Sequence, residues 1–382
     1  MMRNRIRRRP VTLELDQLES RTMLAGDVTA IVDSGTLVIV GDNNSNEIEI
    51  RQGATPDQLI VIGSDTDING SSTHFVANNV IAGVQADMND GKDKVTLKGL
   101  SIVGDVFINS GADDDKISVK DFDSDDRINL DTGAGDDDVK IKDVSLAEEL
   151  EIMLGDGKDK AKIERVAVLD VIVDAGDGKD SVEVKDADLG DDLTIQLGEG
   201  DSKVSISDVE IPLTKPGAFI TIVAGNDKND IKIKDSKARR LNITTGDGRD
   251  KISINDFVAG DDLNINTGNG KAKVKLKDVV VADDLRFDGG QDDDDLKLDN
   301  VTVEATDGFI STFIDTFGGK DKVEIKDSSM QVAKIRLGDD DDKLKLKDSI
   351  FASLDADGGL GDDELKDDNN TYLSPPVFTN FE

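Results

Sequence analysis

The chain has 382 residues, a formal net charge of −36, 3% aromatic residues, no Trp and no Cys. Without Cys there is neither a disulfide nor a thiolate metal site, and a single His, His74, excludes most zinc sites and catalytic triads. The charge repels nucleic acid and anionic membrane surfaces and makes cations the natural counterparts, and no apolar run approaches the roughly 18 residues of a membrane span.

The first 25 residues differ from the rest. "MMRNRIRRRP" is strongly basic, but the continuous 7–15-residue apolar stretch of a signal peptide does not follow it. One reading is a basic tail. The other comes from Leu18-Glu19-Ser20-Arg21-Thr22-Met23-Leu24, which resembles the LEPR-x-LL N-terminal motif of planctomycete surface and secreted proteins. Ser20 stands in place of the Pro and Met23 in place of the first Leu. The resemblance implies export, and an extracellular or cell-surface location.

Residues 26–85 contain strand-like runs, "TLVIV", "EIEIRQ" and "QLIVIG", without a clean period, and read as an N-terminal β cap region. From 86 to 367 the chain is a repeat. Aligned on one position it reads Asp93, Asp115, Asp137, Asp159, Asp180, Ser202, Asn229, Asp250, Ala272, Asp294, Asp321, Asp342 and Asp363, with spacings of 21, 22 or, twice, 27 residues. A weaker copy is centred on Asn46. A fixed period of this size marks a solenoid. The Leu-x-x-Leu-x-Leu-x-x-Asn pattern of leucine-rich repeats is absent.

Counting from the aligned position, offsets +2 and +4 are apolar, as in Val139 and Ile141 or Val182 and Val184, while +1, +3 and +5 are polar. This is the period-2 pattern of a half-buried strand. A third apolar residue often follows at +7, as in Phe122 and Val144. A second strand, such as "DLTIQLG" (192–198), runs into a Gly turn. Each repeat therefore reads as two short strands and two corners. No repeat buries its strands alone, so stacking is required. The expected fold is all-β, a parallel β-solenoid (β-roll or β-helix) of about 13–14 coils, a rod of roughly 60–70 Å at about 4.8 Å per coil.

Gly at −4 and −2 permits positive φ and lets a tight turn point carbonyl oxygens and the Asp carboxylate at one spot, hard ligands suited to calcium. The pattern Gly-x-Gly-x-Asp-x-apolar is intact at 133–139, 176–182, 246–252 and 359–365 and nearly so at 155–161. It resembles the RTX (hemolysin-type) calcium-binding repeat, Gly-Gly-x-Gly-x-Asp-x-U-x, where U is a large apolar residue. The resemblance implies several Ca2+ ions and, as metal ligands, Asp93, Asp115, Asp137, Asp159, Asp180, Asp250, Asp294, Asp321, Asp342 and Asp363. The departures are plain. RTX turns come every nine residues on both edges, whereas here one comes per repeat, and the other corner carries acidic pairs such as Asp191-Asp192 and Asp261-Asp262. Ser202, Asn229 and Ala272 lack the carboxylate. Lys sits at −1 in Lys92, Lys158, Lys179 and Lys320, either replacing a cation or pointing away. The alternative at each turn is a structural Gly loop with a solvated Asp. Unneutralised carboxylates 4.8 Å apart repel by about 0.9 kcal/mol even in bulk water, so an Asp column needs cations or interleaved Lys.

The outward offsets +1, +3 and +5 hold 23 of the 46 basic residues. This lysine face reads as a solvated sheet surface that resists aggregation, or as a platform for anionic polysaccharide or a cell-envelope polymer. Five extra residues enter near 211–219 and near 304–313. Residues 368–382, with Pro375-Pro376, read as a C-terminal cap. The functional expectation is an exported, non-catalytic structural or adhesive surface protein. The alternative is a β-helix polysaccharide lyase or hydrolase, which requires a localised, non-repeating cluster beside a long loop.

Overall fold

The computed structural model describes residues 26–70, 74–305 and 309–382. The basic segment 1–25, with its export motif, lies outside the described residues. Among those described there is no helix, and the strands build a parallel β-solenoid of about 13 turns at ~22-residue spacing.

Register follows from the apolar alternation. Lys160–Val168 lies parallel between Asp138–Leu146 and Ser181–Leu189, so that Ala161 stacks between Val139 and Val182, and Ile163 between Ile141 and Val184. On another wall Glu149–Met153 lies between Ile128–Asp131 and Asp170–Asp174. A slip by one residue would turn every apolar side chain outward. The inward columns fuse into one continuous core, too narrow for many rings, which accounts for the scarcity of aromatics.

The expectation of two strands and two corners is corrected. The longer strand of each coil is bent at +6, giving three straight limbs. In Lys160–Val168 the buried residues are Ala161, Ile163, Val166 and Val168, so the alternation skips a beat at Arg165. That residue has φ 54°, and the same position has positive φ in Asp121, Asp143, Asp186, Asp256 and Asp278. Asp and Asn tolerate this left-handed conformation best among non-Gly residues. They fill the position in every coil except those of Gly99 and Arg165.

The first coil is completed by hairpins. β1 (Gly26–Asp33) pairs antiparallel with β2 (Thr36–Val40), and β3 (Glu47–Gln52) pairs antiparallel with β4 (Leu59–Gly63). β2 lies parallel on Val84–Asp87 and β3 on Lys94–Ile102. Asn46 therefore sits directly under Asp93, and the weak copy centred on it is the first rung of the stack. At the other end Tyr372 stacks on Phe351 with centroids 5.8 Å apart, and Phe378 and Phe381 continue the row edge-on. The first insertion folds back along its corner, where Lys215 Nζ reaches the Gly190 carbonyl at 3.1 Å and Asp191 at 2.8 Å.

Candidate metal centre: a buried carboxylate ladder

The ten candidate residues, Asp93, Asp115, Asp137, Asp159, Asp180, Asp250, Asp294, Asp321, Asp342 and Asp363, stand in one column, each at most 3% exposed. The reading of a solvated Asp is overturned, because these side chains turn into the rod. Local backbone explains the direction. Gly133 and Gly155 at offset −4 have φ 78° and 87°, and a Cβ on Gly155 would lie 1.6 Å from the Gly133 carbonyl oxygen. Glycine is the residue that most readily takes this conformation, although Asn89 and Phe317 fill the same −4 position with φ 63°.

Within the column, Oδ1 of each Asp accepts the backbone N–H of the rung before it. Asn46 donates to Asp93 at 2.6 Å, Asp93 to Asp115, Asp115 to Asp137 and Asp137 to Asp159 at 2.7 Å, and Asp159 to Asp180 at 2.9 Å. Beyond the interruption the same bond runs from Ala272 through Asp294, Asp321 and Asp342 to Asp363. Oδ2 is different. In Asp93, Asp115, Asp137, Asp159, Asp180, Asp250, Asp321, Asp342 and Asp363 it is buried without a hydrogen-bond partner. Only Asp294 finds one, the Gly290 N–H at 3.2 Å.

The Asn rungs show what surrounds that free oxygen. The Asn46 amide nitrogen donates to the carbonyls of Asp42 at 3.2 Å and Asn44 at 2.7 Å. The Asn229 amide nitrogen donates to those of Gly225 at 3.1 Å and Asp227 at 2.8 Å. Both pairs are the −4 and −2 carbonyls of the same turn. Ser202 bonds differently, its Oγ accepting the Asp180 N–H at 3.0 Å and donating to the Gly178 carbonyl of the preceding coil at 3.4 Å. An isosteric Asp places an oxygen where Asn places NH2, acceptor against acceptors, in a site closed to water. A buried, unpaired acceptor is costly, and either a proton or a cation resolves it.

The electrostatics agree. Burial pushes the carboxyls of Asp93, Asp115, Asp159 and Asp342 up to about 7, Asp321 to about 8, and Asp180 and Asp294 to about 6. Asp137 and Asp250 move up for the same reason. A carboxylate oxygen with two carbonyl oxygens is a hard donor set that fits Ca2+, so at each Asp rung the Asp and the −4 and −2 carbonyls are the groups that would hold it.

The lysines at −1 do not replace a cation. Lys158 is exposed while Asp159 is buried. Lys92 pairs with Asp114 and Lys320 with Asp341, and Lys179 with Asp201 at 3.3 Å, all on the outer surface and one coil on. At the other corner, arginines hold one of the acidic pairs. Asp261, Asp262 and Asp283 bring carboxylate oxygens within 4.8 Å of one another. Arg239 and Arg240 already hold Asp261 at 2.9 and 2.8 Å, and Arg240 holds Asp262 at 3.0 Å.

Two features escaped the sequence reading. The bend at +6 was signalled by the Asp or Asn that recurs two residues after the second apolar position in every coil except those of Gly99 and Arg165. The inward turn of the aligned Asp had no separate signal, because period-2 alternation counts it as one more polar residue before the strand.

Together the coil and its ladder define a class: a parallel β-solenoid with buried Asp in stacked Gly turns, compatible with an RTX-like repeat fold. No family model, no curated protein and no solved structure matches the chain.

Proposed function

We propose that this is a non-catalytic, exported structural or adhesive surface rod whose Asp ladder takes up calcium in RTX-like fashion. One observation carries the calcium reading: nine buried Oδ2 atoms without a partner, in turns whose carbonyls accept a donor wherever Asn replaces Asp. The structural reading draws on the uniform, uninterrupted core. The surface location draws on the sequence motif at residues 18–24. No helix among the described residues is long and apolar enough to cross a membrane.

The test is thermal melting, followed by far-UV circular dichroism near neutral pH, in chelator and in excess calcium. Calcium is expected to raise the midpoint and sharpen the transition. Superimposable melts in the two conditions would overturn the calcium reading and leave protonation as the way the ladder is satisfied.

A further inference from the structure

The surface flanking the ladder changes sign along the rod. The −1 and +1 residues lie outside, on either side of each buried rung. Over the six rungs from Asp159 to Ala272, the −1 side presents Lys158, Lys179, Lys228, Arg249 and Lys271, broken only by Asp201. The +1 side presents Lys160, Lys203, Lys251 and Lys273, broken by Ser181 and Asp230. Nine cations therefore face two acids on the surface of a chain whose net charge is −36. On the −1 side a Lys often pairs with an acid one coil on, as in Lys92–Asp114 and Lys320–Asp341, and within the strip Lys179–Asp201 and Lys271–Asp293 do the same, while Lys273 on the +1 side pairs with Asp295.

Three further observations single out this strip. Among the described residues, Lys158, Lys160, Lys203, Lys228, Arg249 and Lys251 have no acid within ion-pairing distance. The two acids are each ion-paired, Asp201 to the strip's own Lys179 at 3.3 Å and Asp230 to Lys232 of the sheet face at 3.1 Å. Half of the rungs beneath, Ser202, Asn229 and Ala272, carry no carboxylate, so the interior negative charge is thinnest here. The strip is also concave: Lys158, Lys160, Lys179, Lys203 and Lys228 line a groove of about 510 Å³. By contrast, many lysines of the broad sheet face are taken up by acids on or beside it, as in Lys162–Glu183, Lys234–Asp235 and Lys345–Glu324.

We infer that this corner strip, and not the sheet face, is a binding site for a linear anionic polysaccharide lying along the rod axis. A row of cations at about 4.8 Å per coil suits a chain bearing a charge on successive sugars. Lys is a mobile point charge that suits loose contact with such a polymer. Single-stranded nucleic acid is disfavoured by the absence of an aromatic platform along the strip. The inference gives the adhesive part of the proposed function a location and does not rest on calcium.

The experiment is binding of the full chain to immobilised chondroitin sulfate and to unsulfated chondroitin, with neutral dextran as the blank and inorganic polyphosphate as competitor. The two glycans separate sulfate from carboxylate recognition. The strip variant carries Lys158→Gln, Lys203→Gln, Lys228→Gln and Arg249→Gln. The control carries Lys162→Gln, Lys234→Gln, Lys326→Gln and Lys345→Gln on the sheet face. Circular dichroism confirms that both fold. The strip variant is expected to lose about tenfold in affinity for at least one glycan, with the control within about twofold and added salt weakening wild-type binding. Equal losses in the two variants, no binding to either glycan, or displacement by polyphosphate far below the glycan concentration would each overturn the inference. If the variants prove misfolded, salt-sensitive binding of the wild type that is blocked by acetylating its lysines, with the fold intact, supports the inference. Binding that survives acetylation sinks it.

Discussion

The backbone amide of Asp137 donates to Oδ1 of Asp159, 22 residues later and one coil up, at 2.7 Å. That bond ties successive coils together through a side chain inside the core. It also fixes the carboxylate so that its second oxygen has no donor to meet. The ladder thus holds the rod together and carries a conditional cost, and four predictions follow from this and from the turns beside it.

Replacing Asp137 and Asp159 by Asn puts NH2 where Oδ2 stood, as Asn229 already does. In chelator near pH 8 the double variant is expected to melt above wild type, because two buried acceptors become donors. In excess calcium the order reverses or the gap closes. Melting curves of both proteins in both conditions decide this, and a double variant less stable than wild type in chelator would contradict it.

Without metal, stability should fall as pH rises. Below the ordinary value of 3.8 the ladder carboxyls are protonated in folded and unfolded chains alike. From there up to about 7 for Asp93, Asp115, Asp159 and Asp342, and about 8 for Asp321, the unfolded chain has lost protons that the folded one keeps. Stability therefore declines across that window and levels off above it. Urea midpoints in chelator between pH 4.5 and 8 measure the decline. The Asp137→Asn, Asp159→Asn variant should show a shallower slope, which separates the ladder from general repulsion among surface acids. Calcium should release protons in the same window, readable by pH-stat titration.

Gly157 tests the closeness of stacking. A Cβ there would lie 1.7 Å from the Gly135 carbonyl oxygen, whereas Gly99 has open space around it. Gly157→Ala is expected to cost about 3 kcal/mol or more by forcing two coils apart. Gly99→Ala should cost only the about 1–2 kcal/mol of a left-handed conformation, since its φ is 62°. Similar denaturation midpoints for the two variants would refute the distinction.

Arg165 occupies the bend position that most coils give to Asp or Asn, with φ 54°. Its guanidinium holds Asp143 of the coil below at 2.6 and 3.1 Å. An exposed pair contributes little, so Arg165→Asn should be neutral or stabilise by up to about 1 kcal/mol. A loss beyond that in a denaturation curve would show that the ion pair outweighs the backbone preference.

Much of this architecture was legible in the residues. The alternation of Val139 with Ile141 and of Val182 with Val184 gave the strand, its inner face and, through the period, the stacking partner. The −4 glycines gave the turn. What alternation could not reveal was direction at its edges. Asp159 and Lys160 are both polar neighbours of an apolar residue, yet one is buried and the other exposed, because Gly155 and Gly157 reset the backbone between the limbs. The bend was hidden for a similar reason: Asp143 looks like a surface acid, and only its φ reveals a corner.

The interruption of the ladder at Ser202, Asn229 and Ala272 has a mechanical consequence. A rod whose every rung depended on protons or ions would come apart along its whole length when either was withdrawn. Here the ends carry that dependence, in unbroken blocks from Asp93 to Asp180 and from Asp294 to Asp363, while the middle is only sparsely tied to it. Withdrawal of counter-ions should therefore fray the rod from both ends toward a central segment that persists. Amide hydrogens around Ile206, Ile233 and Leu276 would be the last to exchange, and that surviving segment would be the template on which the outer coils rewind.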